Sequence, residues 1–446
     1  VSEKRILQKN QHNLHNQYKG QQHSETQYYD ANNMNHFTKI YIRVPLYFLL
    51  IIAFWGCEHK KSTSSEKTII TFWHFWSEPS QKMALQTIIE EFEQQNPTID
   101  IQTTELQWSD GKAKLAMAIQ AQKAPDVMHI GLEWVQEFAQ AKVLHNFPSH
   151  DTRFPALTSA LSHNNTPIAM GWLVNTRAII LDTVLHCDSL KTWATFSSYI
   201  QKYAQKHPQK YAIGIHADEP LNISKKTLPW LWSAGSSIFR TYPISESFDK
   251  KALDGLRYYL QLSHYGLMEK SRVLDEQFTQ HSLHSVLTGM WIIANPMIEN
   301  NTHKYTVLPT IPTAENTMQG ASILSADCLS IAAQSQYKKQ AETFIRFLTE
   351  YRNSKRFSIA VPDAGFPADT AIINDNELQS NPLRKGFLQQ TLYSAPIIAS
   401  PITAEAISLF EKEIMYAFYQ KKTPEQALAD AKKEIQLLEE RISQRK

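Results

Sequence analysis

The alternation of short apolar runs and amphipathic stretches across residues 68–144 constrains this chain more than any other feature. Residues 69–72 are apolar and bounded by polar neighbours, the mark of a short buried strand. They run into Trp73, His74, Phe75 and Trp76, then Ser77, Glu78 and Pro79. Leu85, Ile88, Ile89 and Phe92 recur at i, i+3, i+4 and i+7, which predicts a helix with one apolar stripe. Pro79 suits the first turn, where its missing N–H is not needed. Asn96-Pro97 ends the helix, because a residue before proline avoids the α region. Ile99 and Ile101 flank Asp100 in a second strand, and residues 126–130 read as a third, followed by a helix carrying Val135, Phe138 and Ala139. Three strand–helix repeats predict an α/β fold with a mainly parallel sheet flanked by helices. Ligands of such sheets sit outside the carboxyl ends of the strands. Here those ends carry residues 73–78 and 131–134, rich in indole rings and polar groups.

The chain is long enough, at 446 residues, for two domains with full cores. Its 45 basic and 43 acidic residues leave a net charge of +2, which gives no electrostatic case for nucleic acid. Cys57, Cys187 and Cys328 are too few and too scattered for a disulfide framework or a zinc site. No nucleophile elbow, HExxH spacing or phosphate loop is present, so no catalytic residue, metal or cofactor is expected.

Residues 1–33 are rich in Gln, Asn and His and lack periodicity, so they read as a disordered extension. Met34 begins a more sensible product. Lys39 and Arg43 then precede an apolar run of twelve residues, 44–55, and Gly56-Cys57. That is the layout of a secretory signal, and it is short of the roughly 20 apolar residues of a membrane span. The segment 34–57 resembles a bacterial lipoprotein signal, although Trp55 stands where a small residue is usual. The resemblance implies lipidation of Cys57, with the polar stretch 58–67 as a tether.

Further along, Leu115, Ala118 and Ile119 face inward from a short helix. Residues 168–174 and 179–181 read as strand, and so do 211–215, 305–308 and 329–332. Thr192 caps a helix with Phe196, Ile200 and Tyr203 inward, and Asp249 caps another with Leu253, Leu256 and Leu260. Residues 278–287 read as a helix. Ala341, Phe344, Ile345 and Leu348 mark an amphipathic helix. Two long helices close the chain, the last opened by a capping box at Thr423-Pro424-Glu425-Gln426.

The stretches TFWHFW, EEFEQQNPTIDIQ, APDVMHIGLEWVQEFAQAKVL, GWLVNTRAIIL, LKTWATFSSYIQKYA, WLWSAGSSIF, FTQHSLHSVLTGMW, QAETFIRFLTE and TPEQALADAKKEIQLLEE follow in that order. With them, the chain from Thr68 onward resembles the extracellular solute-binding proteins of ABC importers for sugars, which share the maltose-binding-protein architecture. The resemblance implies a two-lobed periplasmic-binding-protein fold with ligand in the cleft. Lobe one would be 68–174 plus 323–365, and lobe two 177–320 plus 366–446. The chain would cross near 174–177 and 320–324, and hinge closure would trap the ligand. The implied partners are a sugar and the ABC permease subunits, and the implied setting is the periplasm or cell surface, with the protein a monomer. This chain departs from common family patterns at Asn175, Ala321-Ser322 and Leu181-Asp182.

A sugar offers apolar C–H faces, matched by aromatic rings, and hydroxyls, matched by carboxylates, amides and indole N–H groups. Trp76, Glu78, Glu133, Trp134, Trp172, Asn175, Trp232 and Trp291 stand at predicted loop or crossing positions and read as ligand contacts. His74 reads equally as a ligand contact and as a satisfied buried histidine. Trp193 reads as core, Trp108 and Asp110 as a loop at the rim, and Arg177 as a hinge cation. Two other classes fit the same residues. A secreted glycosidase would need two carboxylates about 5 to 9.5 Å apart, for which Glu78 and Glu133 are the candidates. A sensor would keep the binding fold without transport.

Overall fold

The computed structural model describes residues 67–149, 154–185, 187–217, 219–220, 222–309, 311–314, 321–400 and 402–444. The expectations for the extension, the signal segment with Cys57, nearly all of the tether, and Gly320 lie outside the described residues. The first third contains β1 (Thr68–His74), α1 (Pro79–Gln95), β2 (Ile99–Glu105), α2 (Gly111–Gln120), β3 (Val127–Gly131) and α3 (Leu132–Gln140). Then come β4 (Met170–Leu181), α4 (Trp193–Lys206), β5 (Ile213–His216), α5 (Asn222–Ser233), α6 (Lys250–Ser263), β6 (Gly266–Glu269), α7 (Ser271–Thr279), β7 (Ser285–Gly289) and β8 (Thr306–Val307). The chain continues through β9 (Ser322–Ile331), α8 (Lys338–Thr349), α9 (Tyr351–Ala360), β10 (Phe366–Pro367), α10 (Pro382–Leu392) and β11 (Ser394–Ala395). Helices α11 (Thr403–Phe418) and α12 (Pro424–Ser443) end it.

The sheet path is β8–β4–β9–β3–β1–β2, with β7 and β10 added to β4 and β11 added to β9. β1 pairs parallel with β2 and β3, as the strand–helix repeats predict. Two long strands tie the sheet together. Residues 170–176 of β4 run antiparallel to β9, and residues 177–181 pair with β7 instead. β9 in turn pairs with β3 through 327–331 and with β11 at Ser322 and Ile323. The apolar runs at 168–174 and 179–181 are therefore one strand, and Asn175, Thr176 and Arg177 lie inside it. At that point the Thr176 hydroxyl donates to the Ile323 carbonyl at 3.1 Å. Gly365 sits against the same place with φ +93°, and a Cβ there would lie 2.3 Å from the Val174 carbonyl oxygen. Only glycine meets both demands.

Three buried clusters organise the helices. Leu85, Ile88, Ile89 and Phe92 of α1 pack with Phe72, Phe344 and Phe357 on one face. Leu115, Ile130, Val135 and Phe138 belong to a second cluster that also takes in Phe278, Ile292 and Phe387. Phe196, Trp230, Tyr259, Phe410 and Ile435 form the third. Trp193 packs on that one, its ring stacked 4.2 Å from Tyr258.

One expected element changes type. Residues 278–287 do not form a helix: α7 stops at Thr279, His281 takes φ +59°, and β7 begins at Ser285. Leu283, Val286 and Leu287 have helical spacing, but β7 is buried along its whole length and pairs with β4. Tertiary pairing and β-branched Val286 and Thr288 outweigh the local pattern.

Candidate functional site

An aromatic group gathers at the carboxyl ends of β1 and β3. Trp76 stacks on His129 at 5.7 Å, and Trp172 of β4 meets His129 edge-on at 5.6 Å. Phe357 of α9 closes the far side, 5.0 Å from Trp172. Trp76 and Trp172 are only 6% and 1% exposed, and neither indole N–H has an acceptor. The Phe75 N–H donates to His129 Nδ1 at 3.3 Å. The proton is thereby placed on Nε2, 3.2 Å from Asp327 Oδ1 of β9. Trp108 is 48% exposed and stacks on Phe75 at 4.0 Å, with Trp134 behind it at 5.5 Å. This indole is the aromatic face the group presents to solvent.

A charged group lies beyond the crossing. The Trp291 indole donates to Asp275 Oδ2 at 2.8 Å. The Arg177 guanidinium sits 4.6 Å from its ring centre and Lys226 Nζ 5.4 Å. Lys226 also donates to the Leu287 carbonyl at 2.5 Å. Burial pulls Lys226 down and pushes Asp275 up, each toward its neutral form. Burial also lowers Arg177, to about 10, against the pull of Glu133, Asp275 and Asp327, so it stays charged at neutral pH. A cavity of 550 Å³ opens beside Trp291, with Glu219, Asn222, Ser271, Arg272 and Asp275 among its walls. Glu219 accepts from the Ser271 N–H at 2.9 Å.

The two groups meet at Glu133, on the first turn of α3. Lys225 of α5 reaches its carboxylate at 3.1 Å. Burial would raise the Glu133 carboxyl, but Lys225, a backbone hydrogen bond and Arg177 outweigh it and hold the group below the usual range. A second cavity, of 250 Å³, adjoins this pair.

The expected site residues separate into groups. Trp76 and Trp172 come together around His129, Trp134 packs against Phe75 and Trp108, and Glu133 and Trp291 both lie by Arg177. Asn175 accepts from the Met290 N–H at 3.4 Å, next to Trp291. Glu78 is an exposed residue preceding α1, its N–H bonded to Gln81. Trp232 is 3% exposed within the third cluster, and its N–H is spent on the Ile238 carbonyl at 2.8 Å. His74 lines neither of these cavities but a third one of 320 Å³, together with Lys82, Thr103 and Glu105. Burial above all, then His129 and Lys82, depress its imidazole to about 3. His129, Asp327, Lys225, Lys226 and Asp275 were not singled out from sequence. Single polar residues inside the apolar runs VMHIG and SILSADCLSI, and the pair of lysines ahead of TLPWLW, were the available signals.

Residues 87–386 match the family described as bacterial extracellular solute-binding protein. The chain belongs to that family. This solute-binding protein is 21% identical over 348 residues to the maltotriose-binding protein of Pyrococcus abyssi, spanning 74% of this chain and 73% of that one. Among solved structures it is similar to an ABC transporter solute-binding protein from Thermotoga lettingae, bound with α-D-tagatose. The TM-score there is 0.70 at 17% identity, over 83% of this chain and 99% of the other. It is also similar to the sugar-binding protein MalE from the phytopathogen Xanthomonas citri, with TM-score 0.68 at 19% identity, over 85% and 100% of the two chains. These likenesses show the two-lobed periplasmic-binding-protein fold that the sequence resemblance implies. Among the described residues of this solute-binding protein, no helix is long and apolar enough to cross a membrane.

Proposed function

We propose that this protein is the substrate-binding lipoprotein of an ABC importer and captures a carbohydrate between two lobes. Lobe one is 68–174 plus 323–365, and lobe two is 177–320 plus 366–446. The observation that carries the reading is the Glu133–Lys225 contact at 3.1 Å, which joins the aromatic group to the charged group across strands β4 and β9. A ligand touching both groups contacts both lobes only when they are closed, so binding shifts the population toward closure. Trp108 supplies a stacking face. Lys225 supplies a donor, and Glu133 and Asp275 supply acceptors. The similar proteins include a maltotriose-binding protein and a solute-binding protein bound with α-D-tagatose, which supports a sugar over a peptide or metal.

Cys57 carries the lipid anchor, 58–67 is the tether, and the protein works as a monomer at the membrane surface, handing the closed form to the permease. It binds without turnover. A thermal-shift screen against mono- and oligosaccharides tests the reading, because a ligand of the folded state alone raises the melting temperature by mass action. A shift with one sugar class and no product is the expected result. Sugar cleavage would move the assignment to a glycosidase, and silence across the panel would remove the carbohydrate.

A further inference from the structure

The cavity of 250 Å³ beside Glu133 and Lys225 has unusual walls for a sugar site. Ile323 and Leu324 of the crossing strand, Leu132 of α3, and Ile397, Ile398 and Ile407 give it a mainly apolar surface, with Gln136, Glu137, Ser325, Thr403 and Glu405 also among its walls. Among the described residues that line it, none is aromatic. A sugar ring finds a flat partner in an aromatic face. Branched aliphatic side chains give no such face, and a hydroxyl set against the Ile397, Ile398 and Ile407 side, away from the polar lining residues, would be penalised. The indole rings expected to stack on ligand are elsewhere: Trp76 and Trp172 pack under His129 and Phe357, and Trp232 lies in the third cluster. Glu133 and Lys225, paired at 3.1 Å, line this cavity together with Glu137 and Glu405, and hydroxyls would be received there.

We propose that the bound carbohydrate carries an aliphatic substituent, an alkyl or acyl chain, and that this cavity holds the chain while the sugar lies toward Glu133 and Lys225. The proposal rests on the sugar-binding reading. The size fits, since an apolar cavity of about 150 Å³ already accepts a benzene ring, and this one is larger at 250 Å³.

The test is a calorimetric titration of the full chain with paired probes, the methyl glycoside and the n-hexyl glycoside of each sugar in the screening panel, kept below micelle concentration. A fully buried methylene strengthens binding by about fourfold, so the hexyl member of the preferred pair binds at least roughly tenfold tighter. Ile398→Ser lowers the hexyl-to-methyl affinity ratio at least roughly threefold. Equal affinity of the two members overturns the proposal and leaves the sugar reading standing. A hexyl gain untouched by Ile398→Ser places the chain elsewhere and also overturns it. Binding by neither member of any pair removes the sugar reading and this proposal with it.

Discussion

Gly289→Ala tests whether Trp291 must fold back onto the end of its own strand. The backbone there has φ −94° and ψ 175°, which any residue adopts. A methyl group, however, would lie 1.9, 2.3 and 2.4 Å from three carbons of the Trp291 ring. Carbon atoms rest at about 3.5–4.0 Å, so the ring must leave. It then loses the 2.8 Å bond to Asp275 and the Arg177 contact at 4.6 Å. A hydrogen bond to a charged group contributes about 1.5–3 kcal/mol, and a cation over an aromatic ring about 0.5–2 kcal/mol. Alanine offsets about 0.4–1 kcal/mol by restricting the unfolded chain. The net is a destabilisation of about 2 kcal/mol, read from the urea midpoint at constant slope, and ligand affinity falls with it. A variant with unchanged midpoint and unchanged affinity would refute the reasoning, because the ring would then have no need of its observed seat.

Acid sensitivity follows from three buried histidines, His74, His216 and His284, all depressed by burial. Burial depresses His74 to about 3 and His284 to about 4. The folded state stays neutral while the unfolded chain binds protons below about pH 6.5, so stability is full above that pH and falls as pH drops toward 4. Each group contributes a slope of up to about 1.4 kcal/mol per pH unit. Urea midpoints across that window should decline, less steeply in His284→Gln, and a flat profile would contradict this. Lys225→Met should weaken ligand binding by no more than about 1 kcal/mol, since the pair with Glu133 is partly exposed. A calorimetric loss of several kcal/mol would mean that Lys225 does more than pair. Because the folded-state Glu133 carboxyl is held low, its share is present above the ordinary value of about 4.3 and lost only as pH falls below it. Affinity should therefore be level from pH 7 to 5. Glu439→Ala removes the acceptor of the Ile244 and Ser245 N–H groups at 2.6 and 3.4 Å. The two donors are buried, so chemical denaturation should show a loss of about 2–3 kcal/mol.

Much of the fold was legible because the helix stripes are unambiguous. The stripe of Leu85, Ile88, Ile89 and Phe92 is the buried face of α1. β7 was not legible, because its apolar spacing suits a helix equally and only pairing with β4 decides. β4 looked broken because Asn175 and Arg177 interrupt its apolar run, although the strand passes straight through. The site divides the same way. Strand ends told where Trp76 and Glu133 would stand, but sequence does not distinguish an indole facing a cleft from one under Phe357. Lys226 and Asp275 are 49 positions apart in sequence and meet only through Trp291 and the fold.

The central claim is that the place where Glu133 and Lys225 meet captures a carbohydrate without changing it. The most direct measurement is calorimetric titration of the protein with neutral mono- and oligosaccharides, followed by chromatography of the recovered sugar. Saturable one-to-one binding of one sugar class, recovered intact, is the predicted result. Absence of binding by every sugar, or recovery of hydrolysed product, would contradict the account.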